Sequence, residues 1–474
     1  MDAEKLVPGV LLPGFAGPAL PEWVRAELER GLAGVCLFAG NIDHGDPHGV
    51  RRLSDAIRAI EPHAIVAADE EGGVVTRLEA DTGSTLPSPA QLGLVPPEVA
   101  ERVGSVLAAR ARRSGIGLLL APVADVNDNP ANPVIGARSF GAAPRAVADR
   151  VAAQVRGIRS RRGVAACVKH WPGHGDTDVD SHRGLPVISA ATAERHAAPF
   201  ETAIDAGVDA VMTAHIVVPE WGEHPVTVNP AAIARLRAAG FDGVVVTDAV
   251  DMAAIADTYG LGRGAARALA AGADLVCIGN PGLSGADAAR QYGEAVEAIV
   301  DAVGSGLLDP ARLREAQERV ARLGARIAAG PDADPPGEEQ AEALDEKDLS
   351  AIADALAAAS APDALAALPL VGRVVDARPG TTQAAATRTT PVPDALRALA
   401  GPGAVTAVVV DRPAAAQLAA IERASADGES IVVNVGAIPG GFDAAVSSRT
   451  VHLGADSAFS AAVLGTWVRG DGRS

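Results

Sequence analysis

Aromatic residues make up only 3% of this 474-residue chain: four Trp, two Tyr and seven Phe. So little aromatic surface argues against recognition by ring stacking and points to hydrogen bonding instead. Sulfur is as scarce, with three Cys and three Met. Cys36, Cys167 and Cys277 each lie inside an apolar run, which suits packed, reduced thiols and supplies neither a disulfide framework nor a Cys-based metal site. Basic residues are outnumbered, 41 Lys and Arg against 59 Asp and Glu, for a net charge of −18. A surface of that sign repels a phosphate backbone, so no nucleic-acid partner is expected and the acidity serves solubility. No uninterrupted apolar run reaches the ~18 residues needed to span a bilayer, so no membrane insertion is expected. The amino terminus, Met1-Asp2-Ala3-Glu4-Lys5-Leu6-Val7-Pro8, lacks the basic start, apolar stretch and small-residue cleavage site of a secretory signal, and a cytoplasmic location is expected.

What the chain does have is alternation. Hydrophobic residues are 48% of the total, enough for a large core and two domains. Short apolar runs at 10–12, 34–38, 64–68, 117–121, 165–168, 210–213, 243–247 and 275–278 are separated by Ala-, Arg- and Glu-rich helical stretches at 21–30, 97–113, 146–159, 190–205 and 286–303. Eight strands alternating with helices give an α/β protein of the (β/α)8 TIM-type barrel class. A doubly wound sheet produces the same alternation. The barrel is preferred because polar residues follow several different strands (Asp69, Lys169, His215, Asp248), whereas an open sheet gathers its ligands at one switch point. This unit spans 1–329. A Pro-, Gly- and acid-rich linker occupies 330–345. Four further apolar runs at 371–375, 405–410, 431–435 and 451–453 read as a smaller α/β sandwich domain over 346–474. Nine of the ten His precede residue 225, which places chemistry near neutral pH in the first unit.

One segment concentrates that chemistry: Lys169-His170-Trp171-Pro172-Gly173-His174-Gly175-Asp176-Thr177-Asp178-Val179-Asp180-Ser181-His182. It follows the apolar run ending at Val168, so Lys169 and His170 are expected at the carboxyl end of a strand and the rest in a loop, where barrel enzymes keep their active sites. Three His, three Asp and one Lys in fourteen residues are too polar for a core. Asp176 is expected to close the Gly-rich turn. The run 125–129, Asp-Val-Asn-Asp-Asn, is not a calcium loop, because its sixth and twelfth positions are Pro130 and Gly136 where such a loop needs Gly and Glu. No metal site is expected.

The segment Lys169 to Thr177 followed by Asp180-Ser181-His182 resembles the signature of the β-N-acetylglucosaminidases of glycoside hydrolase family 3. Further segments match in the family's order: Asp69-Glu70-Glu71-Gly72-Gly73 with Arg77; Asn132-Pro133-Val134-Ile135-Gly136-Ala137-Arg138-Ser139-Phe140; Met212-Thr213-Ala214-His215; and Val246-Thr247-Asp248-Ala249. The matches cover 69–252, and the family more often has Phe or Ile where Trp171 stands. The resemblance implies a retaining exo-β-N-acetylglucosaminidase that removes terminal β-linked N-acetylglucosamine from peptidoglycan-derived fragments, with no cofactor. Its partner is then a small saccharide or muropeptide; the oligomeric state is not given by the sequence.

Retaining cleavage needs a carboxylate to attack the anomeric carbon and a group to protonate the departing oxygen. Asp248 follows the apolar run 244–247 and should emerge at the barrel mouth; position alone also allows a helix cap, but the resemblance implies the nucleophile. Asp251 is placed in the first turn of a helix beginning near Ala249. The resemblance implies His182 as proton donor with Asp180 beside it, a carboxylate that orients imidazole and stabilises its cation. Asp69 is expected to accept from two ring hydroxyls, and the resemblance implies Arg77, Arg138, Lys169 and His170 as donors around the same ring. His215 is expected to complete the pocket. Glu70 and Glu71 have no assigned role. Two alternatives stay open: a phosphorylase of the same fold, and a sugar-binding protein that has lost catalysis.

Overall fold

The computed structural model describes residues 3–181, 184–330, 342–378, 389–438 and 441–469. Among these, eight short parallel strands form the first unit: β1 (Leu11–Pro13), β2 (Gly34–Leu37), β3 (Ile65–Ala68), β4 (Leu118–Leu119), β5 (Ala165–Trp171), β6 (Ala210–Thr213), β7 (Val244–Thr247) and β8 (Val276–Gly279). Strands β2 to β7 pair in sequence order and β1 pairs with β8. The ring closes where Val246 bridges Leu275 and where β1 runs beside β2, next to the Ala33 amide's bond to the Pro8 carbonyl at 2.9 Å.

Both faces of each strand are buried, which is why the runs are continuously apolar rather than alternating. Cys36, Ala67, Leu118, Ala165, Met212, Val246 and Cys277 fill the barrel interior. Their strand neighbours Val35, Val66, Leu119, Ala166, Val211, Val245 and Ile278 pack outward against the helices. The period of two thus sorts one apolar string into two cores. Helix Ala288–Gly304 starts where Asp287 accepts from the Ala289 and Arg290 amides, a side-chain cap worth about 1 kcal/mol. The single helix expected over 190–205 is broken into Ala190–Arg195 and Ala198–Asp205: Pro199 has no amide proton to continue the first helix.

A second sheet has the order β12-β11-β10-β9, all parallel, from β9 (Val371–Asp376), β10 (Val405–Val410), β11 (Ser430–Asn434) and β12 (Thr450–His452). Val405, Ala407 and Val409 face one core with Val392, Leu396 and Leu464, while Val408 and Val410 face another with Ile421 and Ala424. Helices therefore cover both faces of the sheet, as the apolar runs predict. The fold is a TIM-type barrel with a smaller α/β sandwich. Most of the proposed linker, residues 331–341, lies outside the described residues.

The sandwich touches the barrel beside its mouth. Gln91, buried in the short helix Pro89–Leu92 that follows β3, donates its amide to the Leu453 carbonyl at 2.6 Å and to Ser460 Oγ at 2.9 Å, and Ser88 Oγ at that helix's start donates to the Gly454 carbonyl at 2.9 Å. Gly441 lies against Pro130 of the loop after β4. Among the described residues no single helix is long and apolar enough to cross a membrane.

Candidate active site

At the carboxyl ends of the strands lies a cavity of about 330 Å³ whose lining includes Asp69, Arg77, Arg138, Lys169, His170 and Asp248. Its floor is Cys36, Leu120, Met212 and Cys277, from β2, the end of β4, β6 and β8. Barrel interiors stack in layers of four side chains from alternate strands, and this is the uppermost layer.

One wall is a buried ionic network. Asp69 and Glu71 stand two residues apart after β3 and reach the same cation: Lys169 Nζ lies 2.6 Å from Asp69 Oδ1 and 2.6 Å from Glu71 Oε1. Arg77 donates to Asp69 Oδ2 at 2.9 Å. Arg138 grips Glu71 through two bonds of 2.9 Å. Burial raises both carboxyls, but Lys169 and Arg77 hold Asp69 far below its usual value, and Arg138 and Lys169 bring Glu71 down to about 2. Lys169 is desolvated too, yet Asp69 and Glu71 raise it above the usual ammonium value. Every member is therefore charged at neutral pH. Removing one partner would leave an uncompensated buried charge.

Sequence reasoning places Lys169 and His170 at the carboxyl end of a strand, and they stand there, with β5 running one residue further, through Trp171. Its ladder with β6 is irregular between Val168 and Trp171, and both side chains line the cavity, although neighbours on a regular strand face opposite ways. His170 Nδ1 lies 2.7 Å from Asp125 Oδ2, and Asp125 Oδ1 accepts from the His174 amide at 2.7 Å. Burial raises the Asp125 carboxyl, but His170 and His174 together outweigh it and the net shift is downward. Since Nδ1 faces a carboxylate, it carries the proton.

Asp248 follows β7 and lines the cavity half-buried, with the Ala249 amide donating to its Oδ1 at 2.8 Å. The helix expected from Ala249 begins only at Ala253. Asp251 accordingly sits in the turn before it and lines the cavity, its carboxyl so close to Gly279 that a Cβ there would meet it at 2.0 Å. His215 does not line the cavity, contrary to expectation. It is fully buried behind it, its Nε2 donating to the Ala249 carbonyl at 2.8 Å and its Nδ1 lying 2.8 Å from Thr227 Oγ1. It braces the residue next to Asp248.

Loop 172–181 is anchored from below. Asn132, buried, donates its amide to the His174 carbonyl at 2.8 Å and the Thr177 carbonyl at 3.0 Å. A Cβ on Gly175 would lie 1.8 Å from the Val126 carbonyl; only glycine permits that approach. Asp176 does not close its own turn; it accepts from Thr192 Oγ1 at 3.3 Å and Arg195 at 3.5 Å, tying the loop to the following helix. His174 Nε2 meets Ser181 Oγ at 3.1 Å, and Ser181 lines the cavity. Asp180 is half-buried beside it. His182 lies outside the described residues.

Glu71, Asp125, Asn132, His174 and Asp251 are the residues that sequence reasoning left without a site role. Glu71 had a usable signal, since an Asp-x-Glu spacing puts two carboxylates on one side of an extended chain. Asp125 had none beyond a rejected calcium pattern.

A closed parallel barrel with an ionic wall and a half-buried carboxylate at its mouth is the architecture of a barrel glycosidase. The sequence matches the glycosyl hydrolase family 3 N-terminal domain over residues 20–323, and the chain belongs to glycoside hydrolase family 3. It is 37% identical over 286 residues to a β-hexosaminidase of Chromobacterium violaceum, covering 57% of this chain and 79% of that protein. It is 32% identical over 346 residues to the β-hexosaminidase of Thiobacillus denitrificans, covering 67% and 94%. Among solved structures, a family 3 β-N-acetylglucosaminidase from Paenibacillus sp. FPU-7 superposes with a TM-score of 0.82 at 26% identity, covering 99% of this chain and 97% of that one.

Proposed function

We propose that the protein is a retaining exo-β-N-acetylglucosaminidase in which Asp248 is the nucleophile and His182, oriented by Asp180, the acid/base. The observation that carries this reading is that Asp248, the Asp69–Lys169–Glu71–Arg138 network and Ser181 line one cavity. Asp248 attacks the anomeric carbon while His182 gives its proton to the departing oxygen; water then enters, returns a proton to His182 and releases the sugar from Asp248. Asp69 accepts from ring hydroxyls, and Arg77, Arg138, Lys169 and His170 hold the ring. The closed floor favours a terminal residue over an internal one. The β-hexosaminidase relatives support an N-acetylhexosamine as that residue. Peptidoglycan-derived fragments as substrate, a cytoplasmic site of action, and a division into catalytic domain 1–329, linker 330–345 and sandwich domain 346–474 complete the proposal.

The test is product analysis on a nitrophenyl N-acetyl-β-glucosaminide and on a muropeptide, each with and without phosphate. The expected product is free N-acetylglucosamine, released first as the β-anomer. Accumulation of the sugar 1-phosphate would make the protein a phosphorylase, and absence of turnover would make it a binding protein.

A further inference from the structure

Sulfur is scarce in this chain yet gathered at one place. Of three Cys and three Met, Cys36, Cys277, Met212 and Met252 all line the cavity at the barrel mouth. Cys36 lies on β2 and Cys277 on β8, either side of β1, and their inward side chains share the uppermost layer of the barrel. Cys36 and Cys277 are neighbours in that layer and in the cavity lining, and Cys36 is the strongest influence on the Cys277 thiol. Neither residue serves the mechanism above. The two thiols form an adjacent pair, 241 positions apart in sequence, facing a space that opens to solvent.

We propose that Cys36 and Cys277 form a dithiol site for trivalent arsenicals at the floor of the active-site cavity. The chemistry fits thiols in this state. An arsenoxide condenses with two thiols: two As–S bonds form, two S–H bonds break, and both protons leave with the arsenic-bound oxygen as one water. Arsenic stays trivalent, and no oxidant or reductant takes part. Cys36 and burial hold the Cys277 thiol well above its usual value, so it is poorly reactive toward alkylating reagents, which only the thiolate attacks readily. Condensation starts from the protonated thiols and is not barred in that way. The sulfurs of Met212 and Met252 add a polarizable surround. Cys167 belongs to the barrel interior but not to the cavity lining, so it serves as an internal control. The arsenical would occupy the space assigned to the sugar, and inhibition follows from that overlap. In this last respect the proposal rests on the preceding functional reading.

The probe is phenylarsine oxide. Native mass spectrometry should show one phenylarsenic adduct per chain, a readout that requires no substrate and stands whatever the enzyme hydrolyses. Hydrolysis of the nitrophenyl glycoside should be abolished, restored by 2,3-dimercaptopropanol and not by a monothiol at equal thiol concentration. Each of Cys36→Ser and Cys277→Ser, compared with its own untreated rate, should need about 10²-fold more reagent, because one As–S bond forfeits the chelate. Cys167→Ser should respond as the parent does. Absence of an adduct at tenfold excess over protein, reversal by monothiol, or unchanged sensitivity of Cys277→Ser overturns the site. If the serine variants fail to fold, the adduct and the dithiol-specific reversal on the parent protein decide it. An adduct that forms while the parent still hydrolyses at its full rate would refute the overlap with the sugar position.

Discussion

Asn132 donates its side-chain amide to the backbone carbonyl of His174 at 2.8 Å, joining the loop after β4 to the loop after β5. The same amide reaches the Thr177 carbonyl at 3.0 Å, while its oxygen accepts from the Val134 and Ile135 amides. A buried residue with every polar group used is a rigid peg. It holds the loop that runs to Asp180 and Ser181, directly before His182 in sequence.

Asn132→Ala should therefore loosen the proposed acid/base without touching the sugar wall. Bonds of this kind contribute roughly 1–3 kcal/mol when their loss leaves buried groups unpaired. Turnover of a disaccharide should fall roughly 10- to 10²-fold. An aryl glycoside with a good leaving group should be affected much less, since it needs little proton donation. Equal losses on both substrates would assign Asn132 to the fold alone.

Asp248→Asn preserves shape and removes the nucleophile. Its kcat should fall by at least about 10³-fold while its circular dichroism and thermal midpoint stay near those of the parent. Turnover within a factor of a few would clear Asp248 of the role.

His182→Ala should slow substrates with poor leaving groups by about 10² to 10⁴, the usual range for lost general acid catalysis, and aryl substrates less in single turnover. Asp180→Ala should give the same pattern more mildly. A uniform slowing across leaving groups would make His182 a binding residue.

Glu71→Gln leaves Lys169 and Arg138 facing a neutral amide in a buried site. Breaking such a pair costs about 3–5 kcal/mol, and urea unfolding should show a loss of that order. A loss below about 1 kcal/mol would mean that water reaches and screens these cations.

Acid should weaken the fold in two stages. Burial lowers His174 to about 4 from 6.5 against the opposing pull of Asp125. Between those values the unfolded chain binds a proton that the folded chain refuses, so stability is full above about pH 6.5 and declines as pH falls toward 4. This term is bounded by roughly 3 kcal/mol. His452, also lowered by burial to about 4, adds in the same direction. Glu71, brought from 4.5 to about 2, extends the loss below pH 4.5. Unfolding free energies measured from pH 7.5 to 4 should fall, and His174→Asn should flatten that slope without abolishing it. An unchanged slope in the variant would show His174 to be solvated.

The two folds were legible in the sequence because strands buried on both faces leave unbroken apolar runs. The expected runs at 34–38, 165–168 and 210–213 fall on β2, β5 and β6. Breaks decided by one residue were less legible: Pro199 divides a helix that composition reads as continuous, and β5 runs past the apolar run ending at Val168 to Trp171 because buried partners neutralise Lys169 and seat His170.

The sequence by itself determined which chemistry was available: a barrel, a titratable loop after its fifth strand, an aspartate after its seventh, and the motifs of family 3. Lining the cavity with Asp69, Arg77, Arg138, Lys169, His170 and Asp248 was the work of the tertiary structure, as was drawing in Glu71 and Asp251 and withdrawing His215 to a supporting position. The physical reason is that a cavity is made by the ends of strands far apart in the chain. Lys169 meets Asp69 across 100 residues, and Arg138 meets Glu71 across 67. Local sequence fixes where each strand ends. Which charged groups can afford burial depends on the partner that the closed barrel brings to them.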